Sequence, residues 1–180
     1  MLLTRVVKSE SADRELVKKL YEESFPPKER MPFDLMMELN DLPHVSLEAV
    51  YDDDSFVGFY LLMINGTTAY VAFLAVSPLV RMKGYGSAII SYLKDEYAGY
   101  DILLDEEPVY EDAENYEERV HRKAFYEKNG FISTGYVIRA FGVDYEILTT
   151  GSHFNYESYL DIFRSAGFNE FNPLLIKSPK

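Results

Sequence analysis

The stretch that decides the fold is residues 70–88, which read YVAFLAVSPLVRMKGYGSA. Its apolar first part, residues 70–76, predicts a strand, and Ser77-Pro78 bends the chain after it. Gly84-x-Gly86 then opens a helix. Glycines allow a ligand to approach the backbone closely, and the N–H groups at a helix start converge on anions. The stretch therefore predicts a phosphate-binding turn between a strand and a helix.

Two familiar phosphate-binding motifs do not fit this turn. A P-loop is excluded because no Gly-Lys-Ser/Thr follows the glycines. A dinucleotide fingerprint needs an acidic residue about twenty positions further on, which Asp105 would supply. However, Ile89 stands where the third glycine of that fingerprint belongs, and Gly84 comes well after the strand has ended. We therefore reject both motifs.

The segment before the turn predicts an antiparallel meander. Strands are expected over residues 45–51, 56–64 and 68–76, because apolar and β-branched residues dominate them. Asn65-Gly66, between the second and third strands, is a strong hairpin-turn dipeptide. Nearer the start of the chain we expect a strand over 2–7, a helix behind a Ser11 cap, and a short helix over 33–39.

The segment after the turn predicts alternating helices and strands. Helices over 86–98 and 117–129 are each followed by a glycine, which closes a helix in the left-handed conformation. A strand over 100–104 separates these helices, and residues 131–148 hold two more strands before a C-terminal helix. We therefore predict an α/β fold with a single mixed, mostly antiparallel central sheet flanked by helices, in the order β-α-α-β-β-β-α-β-α-β-β plus a C-terminal helix.

Composition and charge exclude several classes of function. The chain has 180 residues, 47% of them hydrophobic, which is enough to bury a core. It has no cysteine, so disulfides and thiolate metal sites are ruled out, and this fits a cytoplasmic protein. Its 30 acidic and 18 basic residues give a net charge of -12, which disfavours nucleic acids and anionic membranes and favours cationic partners. The most apolar run, residues 56–64, is about half the length that crosses a bilayer.

Two motifs follow one another along the chain. The first is Val76-Ser77-Pro78 followed by Arg81-x-x-Gly84-x-Gly86. The second is Phe125-Tyr126-Glu127-Lys128-Asn129-Gly130-Phe131. Together they resemble the GNAT superfamily of N-acetyltransferases: the first resembles its pyrophosphate loop, and the second resembles its helix ending in Tyr-Glu-Lys-x-Gly-Phe. The order of predicted elements matches the family across about residues 1–149. This leaves residues 150–180 as a C-terminal helical extension, which we expect to pack on the same domain.

The resemblance implies acetyl-CoA as the co-substrate and no metal. Acetyl-CoA would lie between two splayed strands, the one that ends at Val76 and the one that ends at Leu104. Its pantetheine arm would pair with the first of these and its pyrophosphate would lie on the glycine turn. A backbone N–H near Ala75 would face the thioester oxygen. Tyr126 matches the family's tyrosine that protonates the departing thiolate. Arg119 stands where many members have an asparagine that contacts coenzyme A; Arg119, Arg122 and Lys123 either meet the 3'-phosphate end or are solvated helix charges. The residues expected to contact the cofactor are Leu74, Ala75, Val76, Arg81, Met82, Lys83, Gly84, Tyr85, Gly86 and Ser87.

The acceptor implied by the resemblance is a primary amine of a small molecule or peptide. Its proton must be removed, and the candidates are Glu106 or Glu107 at the end of the strand before the acidic loop, and Glu29 in the loop after the first helix. Of these we assign Glu107 as the catalytic residue and Glu106 and Glu29 as substrate-binding residues. Residues 105–118 contain eight carboxylates and no basic residue, which favours a cationic acceptor unless they form only a solvated surface. A plain amino acid would instead need an arginine for its carboxylate, for which Arg30 and Arg139 are candidates. The histidines lack metal-ligand spacing: His44, His121 and His153.

The sequence leaves two further classes of function open. One is a non-catalytic sensor or regulatory module that binds acyl-CoA. The other is an interaction domain in which the glycines only form turns. The C-terminal helix, rich in tyrosine and phenylalanine, either closes the core or forms the seam of a homodimer.

Overall fold

The structure, a computed structural model, describes residues 2–152 and 154–177. The helices and strands follow one another in nearly the order that the sequence predicts. There are also two short 3-10 turns, Pro27–Glu29 and Pro78–Val80. The helices and strands are β1 Leu2–Val6, α1 Ala12–Ser24, α2 Phe33–Leu39, β2 Val45–Asp52, β3 Ser55–Asn65, β4 Thr68–Val76, α3 Tyr85–Glu96, β5 Asp101–Glu106, α4 Tyr116–Lys128, β6 Ile132–Ala140, β7 Val143–Thr149, α5 Tyr156–Ser165 and β8 Leu174–Lys177.

The described strands form one eight-stranded sheet in the order β1-β2-β3-β4-β5-β7-β6-β8. Every neighbouring pair is antiparallel except β4 and β5, so the predicted fold class is confirmed. The sequence did not predict β8. This strand has four exposed residues and is held by pairing with β6, a contact that local periodicity does not encode.

The parallel strands β4 and β5 separate soon after they begin. They pair only where Thr68, Ala69 and Tyr70 face residues 101–103, and beyond that point they diverge. On its other side β4 stays paired with β3, but the register shifts so that Ala72 is an extra residue. Such a β-bulge bends a strand. The edge of β4 that runs towards Val76 is therefore open, and a cleft begins there.

Helices cover both faces of the sheet and bury two apolar layers. One layer contains side chains of α1, α2 and α5, including Val17, Met36 and Tyr159. The other contains Ile89 and Leu93 of α3. Because α5 contributes to the first layer, the residues after β7 pack against the same sheet. Within residues 2–152 and 154–177, no helix combines the length and apolar character that would span a membrane.

The helix ends show which local predictions hold. Gly130 has φ +83° after α4, and the N–H of Phe131 donates to the carbonyl of Tyr126 at 3.1 Å, as the glycine signal predicts. The Ser11 cap that the sequence predicts does not form. Ser11 does stand at the start of α1, but its hydroxyl donates back to the carbonyl of Lys8 and does not cap the helix.

Candidate active site

The splay of β4 and β5 opens a cleft of about 1150 Å³. Its floor is the open part of β4 and the end of β5. Its walls are the segment around the 3-10 turn Pro27–Glu29, one side of α4, and the chain that includes α5 and Phe171. The cleft therefore brings together residues from both halves of the sequence.

The glycine turn lies at the start of α3 and resembles an anion-binding site. Gly84 precedes the helix with φ +84°, and no side chain caps the free N–H groups of the first turn. A Cβ at Gly84 would have no atom within 4 Å, so the space beside the turn is open. Arg81 lines the cleft, and its Nε lies 3.4 Å from the carbonyl oxygen of Val76. Arg81 therefore stands between the open edge of β4 and the turn that follows it in the chain.

Gly86, the second glycine, has a packing role. A Cβ built at Gly86 would lie 3.0 Å from the ring of Phe125 in α4. Glycine at this position therefore lets α4 approach the start of α3, and with it the neighbouring residue Tyr126. The sequence motif shows the glycine but not this partner.

Tyr126 projects from α4 and lines the cleft. Its ring lies 5.2 Å from that of Phe125 and 5.7 Å from that of Phe131. Burial raises the pKa of Tyr126 to about 12, and the nearby carboxyl of Glu106 adds to the rise, while Arg122 opposes it. The phenol therefore keeps its proton at neutral pH and can donate it.

Glu106 is a buried carboxyl beside Tyr126 and is only 3% exposed. Neither of its carboxyl oxygens has a hydrogen-bond partner among the described residues. Burial raises its pKa to about 7, against the lowering effect of Arg122 and Lys123. A buried, unpaired carboxylate is costly, so this group holds a proton more readily than a surface glutamate does.

Glu107 is buried as well, but it is surrounded by cations. Its carboxylate accepts from Arg119 at 2.9 Å and from Asn115 at 3.1 Å. Lys28 lies 3.5 Å away and Arg122 3.9 Å away. These contacts tie the loop after β5 to α4 and to the 3-10 turn.

Two basic residues of α4, Arg119 and Lys123, therefore already bind acceptors within the chain. Besides Glu107, Arg119 also binds the carbonyl oxygen of Pro108 at 2.8 Å, and Lys123 pairs with Glu146 at 2.8 Å. Arg122 lines the cleft. Of the three cations weighed for coenzyme A, Arg122 is the one best placed to meet a ligand.

Asp105 occupies the opposite face of β5, towards α5. The hydroxyls of Tyr70 and Tyr159 donate to its Oδ2 at 2.8 and 3.0 Å. Burial raises the pKa of Asp105 to about 6, although both hydroxyls lower it. This cluster is not indicated by the sequence, because no local signal brings Tyr159 to Asp105 from 54 residues away.

Glu29 lines the cleft near Asp105. Burial raises its pKa, Glu107 raises it further, and Lys28 at 3.7 Å opposes the change. Glu29 is thus a mostly buried carboxyl on the acceptor side, in the loop region where the sequence analysis expected it.

The other sequence candidates fall into three groups. In the acidic loop, Glu111, Asp112 and Glu114 are exposed, and Glu114 lines the cleft. Arg30 also lines it, whereas Arg139 pairs with Asp144 at 2.6 Å. The described part of the chain contains no group of three or more His, Asp or Glu residues arranged to hold a metal ion. His44 contacts the carbonyl of Ser165, and His153 lies outside the described residues.

A splayed parallel strand pair beside a glycine turn defines an acetyltransferase fold of the GNAT type. Residues 46–133 match the family model described as an acetyltransferase (GNAT) domain. This match, over just under half of the chain, confirms the resemblance seen in the sequence. No curated protein sequence matches the chain.

Solved structures agree on the fold. A protein assigned to the GNAT acetyltransferases of Bacteroides thetaiotaomicron has a TM-score of 0.72 and 22% identity, covering 90% of this chain and 94% of that one. The Vibrio cholerae spermidine N-acetyltransferase in complex with CoA and spermine has a TM-score of 0.62 and 18% identity, with coverages of 88% and 98%. The Escherichia coli ribosomal-protein-S18-alanine N-acetyltransferase has a TM-score of 0.60 and 16% identity, with coverages of 87% and 100%.

Proposed function

We propose that this protein transfers the acetyl group of acetyl-CoA to a primary amine. The observation that carries the proposal is the cleft, in which an open strand edge lies beside a protonated phenol, while Arg81 at its border leads into the uncapped start of α3. Fold alone does not define an activity, so the argument rests on these groups.

The residues present fit acetyl-CoA. The first turn of α3 offers free backbone N–H groups beside the open space at Gly84, which suits a pyrophosphate. The unpaired edge of β4 at residues 74–76 offers backbone groups that an extended amide-containing chain can pair with. Arg122, at the cleft wall, is our candidate for a contact with a phosphate of the same ligand.

The chemistry assigned to the cleft is direct transfer. The amine nitrogen attacks the thioester carbonyl carbon, so a carbon–nitrogen bond forms and the carbon–sulfur bond breaks. The leaving thiolate takes the phenolic proton of Tyr126, and the excess proton of the attacking nitrogen returns through water to the phenolate. The ammonium form of the acceptor must first lose a proton. Glu29 is our candidate for the group that takes it, directly or through water, because its raised pKa improves a carboxylate as a base.

The structure favours a positioning role for Glu107 over the role of base. Its carboxylate binds Arg119 and Asn115 and lies near Lys28, so its oxygens already have partners within the chain and hold α4 and the 3-10 turn in place. Glu106, buried beside Tyr126, is our candidate for a group that keeps the phenol protonated.

The solved relatives support an amine acceptor. The Vibrio cholerae protein is a spermidine N-acetyltransferase bound to CoA and spermine, and the Escherichia coli protein acetylates an alanine of a ribosomal protein. Both act on nitrogen. An acceptor that carries positive charge also suits a chain with a net charge of -12.

Two measurements on the full chain test the proposal. Calorimetry with acetyl-CoA should show binding, and a panel of primary amines should then release the free thiol of CoA. Binding without thiol release for any amine would favour the sensor. The absence of both binding and thiol release would contradict the proposal and would favour an interaction domain.

A further inference from the structure

We infer that the acceptor is a single primary ammonium carried on an aromatic or similarly large apolar body, and that Asp105 is its counter-ion. This inference rests on the proposed function and adds the class of substrate. It also assigns part of the acceptor site to the segment that follows β7.

Asp105 is a carboxylate that lacks a cation. Its two hydrogen bonds come from the neutral hydroxyls of Tyr70 and Tyr159, and both fall on Oδ2. Among the described residues, its closest electrostatic neighbours include no lysine or arginine. By contrast, Glu107 pairs with Arg119, and Glu29 lies beside Lys28. Oδ1 of Asp105 is therefore the carboxylate oxygen best suited to receive an ammonium from a ligand.

The surroundings of Asp105 are aromatic. Tyr70, Tyr159 and Phe163 pack against one another with ring centroids 5.1 to 5.7 Å apart. Phe163 stacks on Phe171 at 4.0 Å. On the opposite wall, Phe25 packs edge-on against Phe73 at 5.0 Å. All six of these residues line the cleft.

This lining discriminates between kinds of amine. A ring or large alkyl group would exchange water for contact with these aromatic side chains, at about 25 cal/mol per Å² of apolar surface buried. A second ammonium, as in a polyamine, would instead lose part of its hydration among rings, and the nearby carboxylates of Glu29 and Glu107 already lie beside cations. The pocket therefore favours a monocation with an apolar body.

The wall that completes this pocket lies outside the matched family region. Residues 46–133 contain β2 to α4, whereas Tyr159, Phe163 and Phe171 follow β7. This segment is anchored at both ends: α5 packs in the core, and β8 pairs with β6. Acceptor choice is thus set by a part of the chain that is separate from the glycine turn.

Several titratable groups face Asp105 and bear on any pH test. They come from each element around it: Tyr70 of β4, Tyr126 of α4, Tyr145 of β7, Tyr159 of α5 and Glu29 of the 3-10 turn. Removal of the Tyr159 hydroxyl takes away a hydrogen bond that lowers the pKa of Asp105, so that pKa should rise above its value of about 6.

The first experiment compares amines with the full chain and saturating acetyl-CoA, measuring thiol release. We expect kcat/KM for phenethylamine to exceed that for spermidine and for lysine amide at least about tenfold, which is about 1.4 kcal/mol. If spermidine or lysine amide is the better acceptor, the inference is wrong while the proposed function stands. If no amine reacts, the proposed function fails, and calorimetry with phenethylamine alone then tests the pocket.

The second experiment compares Tyr159→Phe with Tyr156→Phe, a matched change on the same helix at a residue that does not line the cleft. Tyr159→Phe should raise the KM for phenethylamine about fivefold or more with the KM for acetyl-CoA unchanged. As the pH is lowered, the kcat/KM of this variant should also begin to fall at a higher pH than that of the wild type, because the ionised form of Asp105 is required. Tyr156→Phe should behave as the wild type. Equal effects of the two variants, or an unshifted pH profile, would overturn the inference.

Discussion

Tyr126 and Glu106 each keep a proton to a higher pH than an exposed side chain of the same type, and for the same physical reason. Burial is the largest cause of the raised pKa in both, about 12 for the phenol and about 7 for the carboxyl. The carboxyl of Glu106 also disfavours the charged form of the phenol, because two anions side by side in a buried cleft repel. The pair therefore keeps a neutral proton donor at the point where β5 and α4 meet.

Removal of the phenolic hydroxyl tests the donor. Tyr126→Phe keeps the ring contacts with Phe125 and Phe131, so the fold should survive. We expect kcat to fall about 100-fold or more, as is usual for loss of a general acid, with little change in the KM for acetyl-CoA. Tyr116→Phe, at the other end of α4, is the control. An unchanged kcat in Tyr126→Phe would leave this residue with a packing role.

The buried carboxyl of Glu106 predicts how stability depends on pH. Its pKa in the folded protein, about 7, lies above the value of an unfolded glutamate, so the folded state binds more protons between these values. The free energy of unfolding should therefore rise as the pH is lowered from 8 towards 5. Glu106→Gln should stabilise the protein at pH 8, on the order of 2 kcal/mol, and flatten this dependence.

Urea unfolding at several pH values measures this effect. Glu111→Gln removes an exposed carboxylate from the loop that follows and serves as the control. If Glu106→Gln and Glu111→Gln show the same pH dependence as the wild type, Glu106 is ionised at neutral pH and has a partner.

At the scale of elements, the start of α3 depends on backbone conformation. Gly84 has φ +84°, which costs a residue with a Cβ about 1–2 kcal/mol. Gly84→Ala should meet no steric clash but should pull the turn away from the conformation in which the N–H groups at the start of α3 are uncapped and open to a ligand. We expect acetyl-CoA affinity to fall about tenfold by calorimetry.

Gly99→Ala controls for the strain alone. Gly99 has φ +90° and an equally open surrounding, but it follows α3 at the end away from the turn. Both variants should lose similar stability, and Gly99→Ala should bind acetyl-CoA as the wild type does. Equal affinity in the two variants would remove the glycine turn from the binding site.

The elements also show how far a sequence can be interpreted. The meander, α3, α4 and their glycine ends follow from periodicity and turn residues, since these signals are local. The register shift at Ala72 and the separation of β4 from β5 do not, because they depend on pairing between strands. The ion pair of Arg119 with Glu107 and the hydrogen bond of Tyr159 to Asp105 could not be predicted either, because each joins residues from different elements. The sequence shows which charged and polar side chains are present but not which of them contact one another.

At the scale of the whole molecule, negative charge is expected to gather cations. Glu111, Asp112 and Glu114 lie in an exposed loop at the cleft side of α4, in a chain with a net charge of -12. We expect kcat/KM for cationic amines to fall as salt is added while kcat stays level, because the Debye length shrinks from about 10 Å at 0.1 M to about 3 Å at 1 M.

Neutral replacement of these three residues by Gln or Asn should reproduce the effect of salt and weaken the further dependence on it. The control changes Asp54, Asp95 and Glu96 in the same way, since they are exposed, do not line the cleft and remove the same charge. If both triple variants keep the salt dependence of the wild type, the loop is a solvated surface with no steering role.

A single-turnover reaction tests the central claim that this cleft transfers an acetyl group to an amine. The full chain is mixed with an equal amount of acetyl-CoA and an excess of phenethylamine, and the quenched mixture is analysed by mass spectrometry. We predict N-acetylphenethylamine and free CoA in equal amounts, formed about 100-fold or more faster than with Tyr126→Phe. Intact acetyl-CoA bound to the protein, with phenethylamine and every other amine tried, would contradict the account.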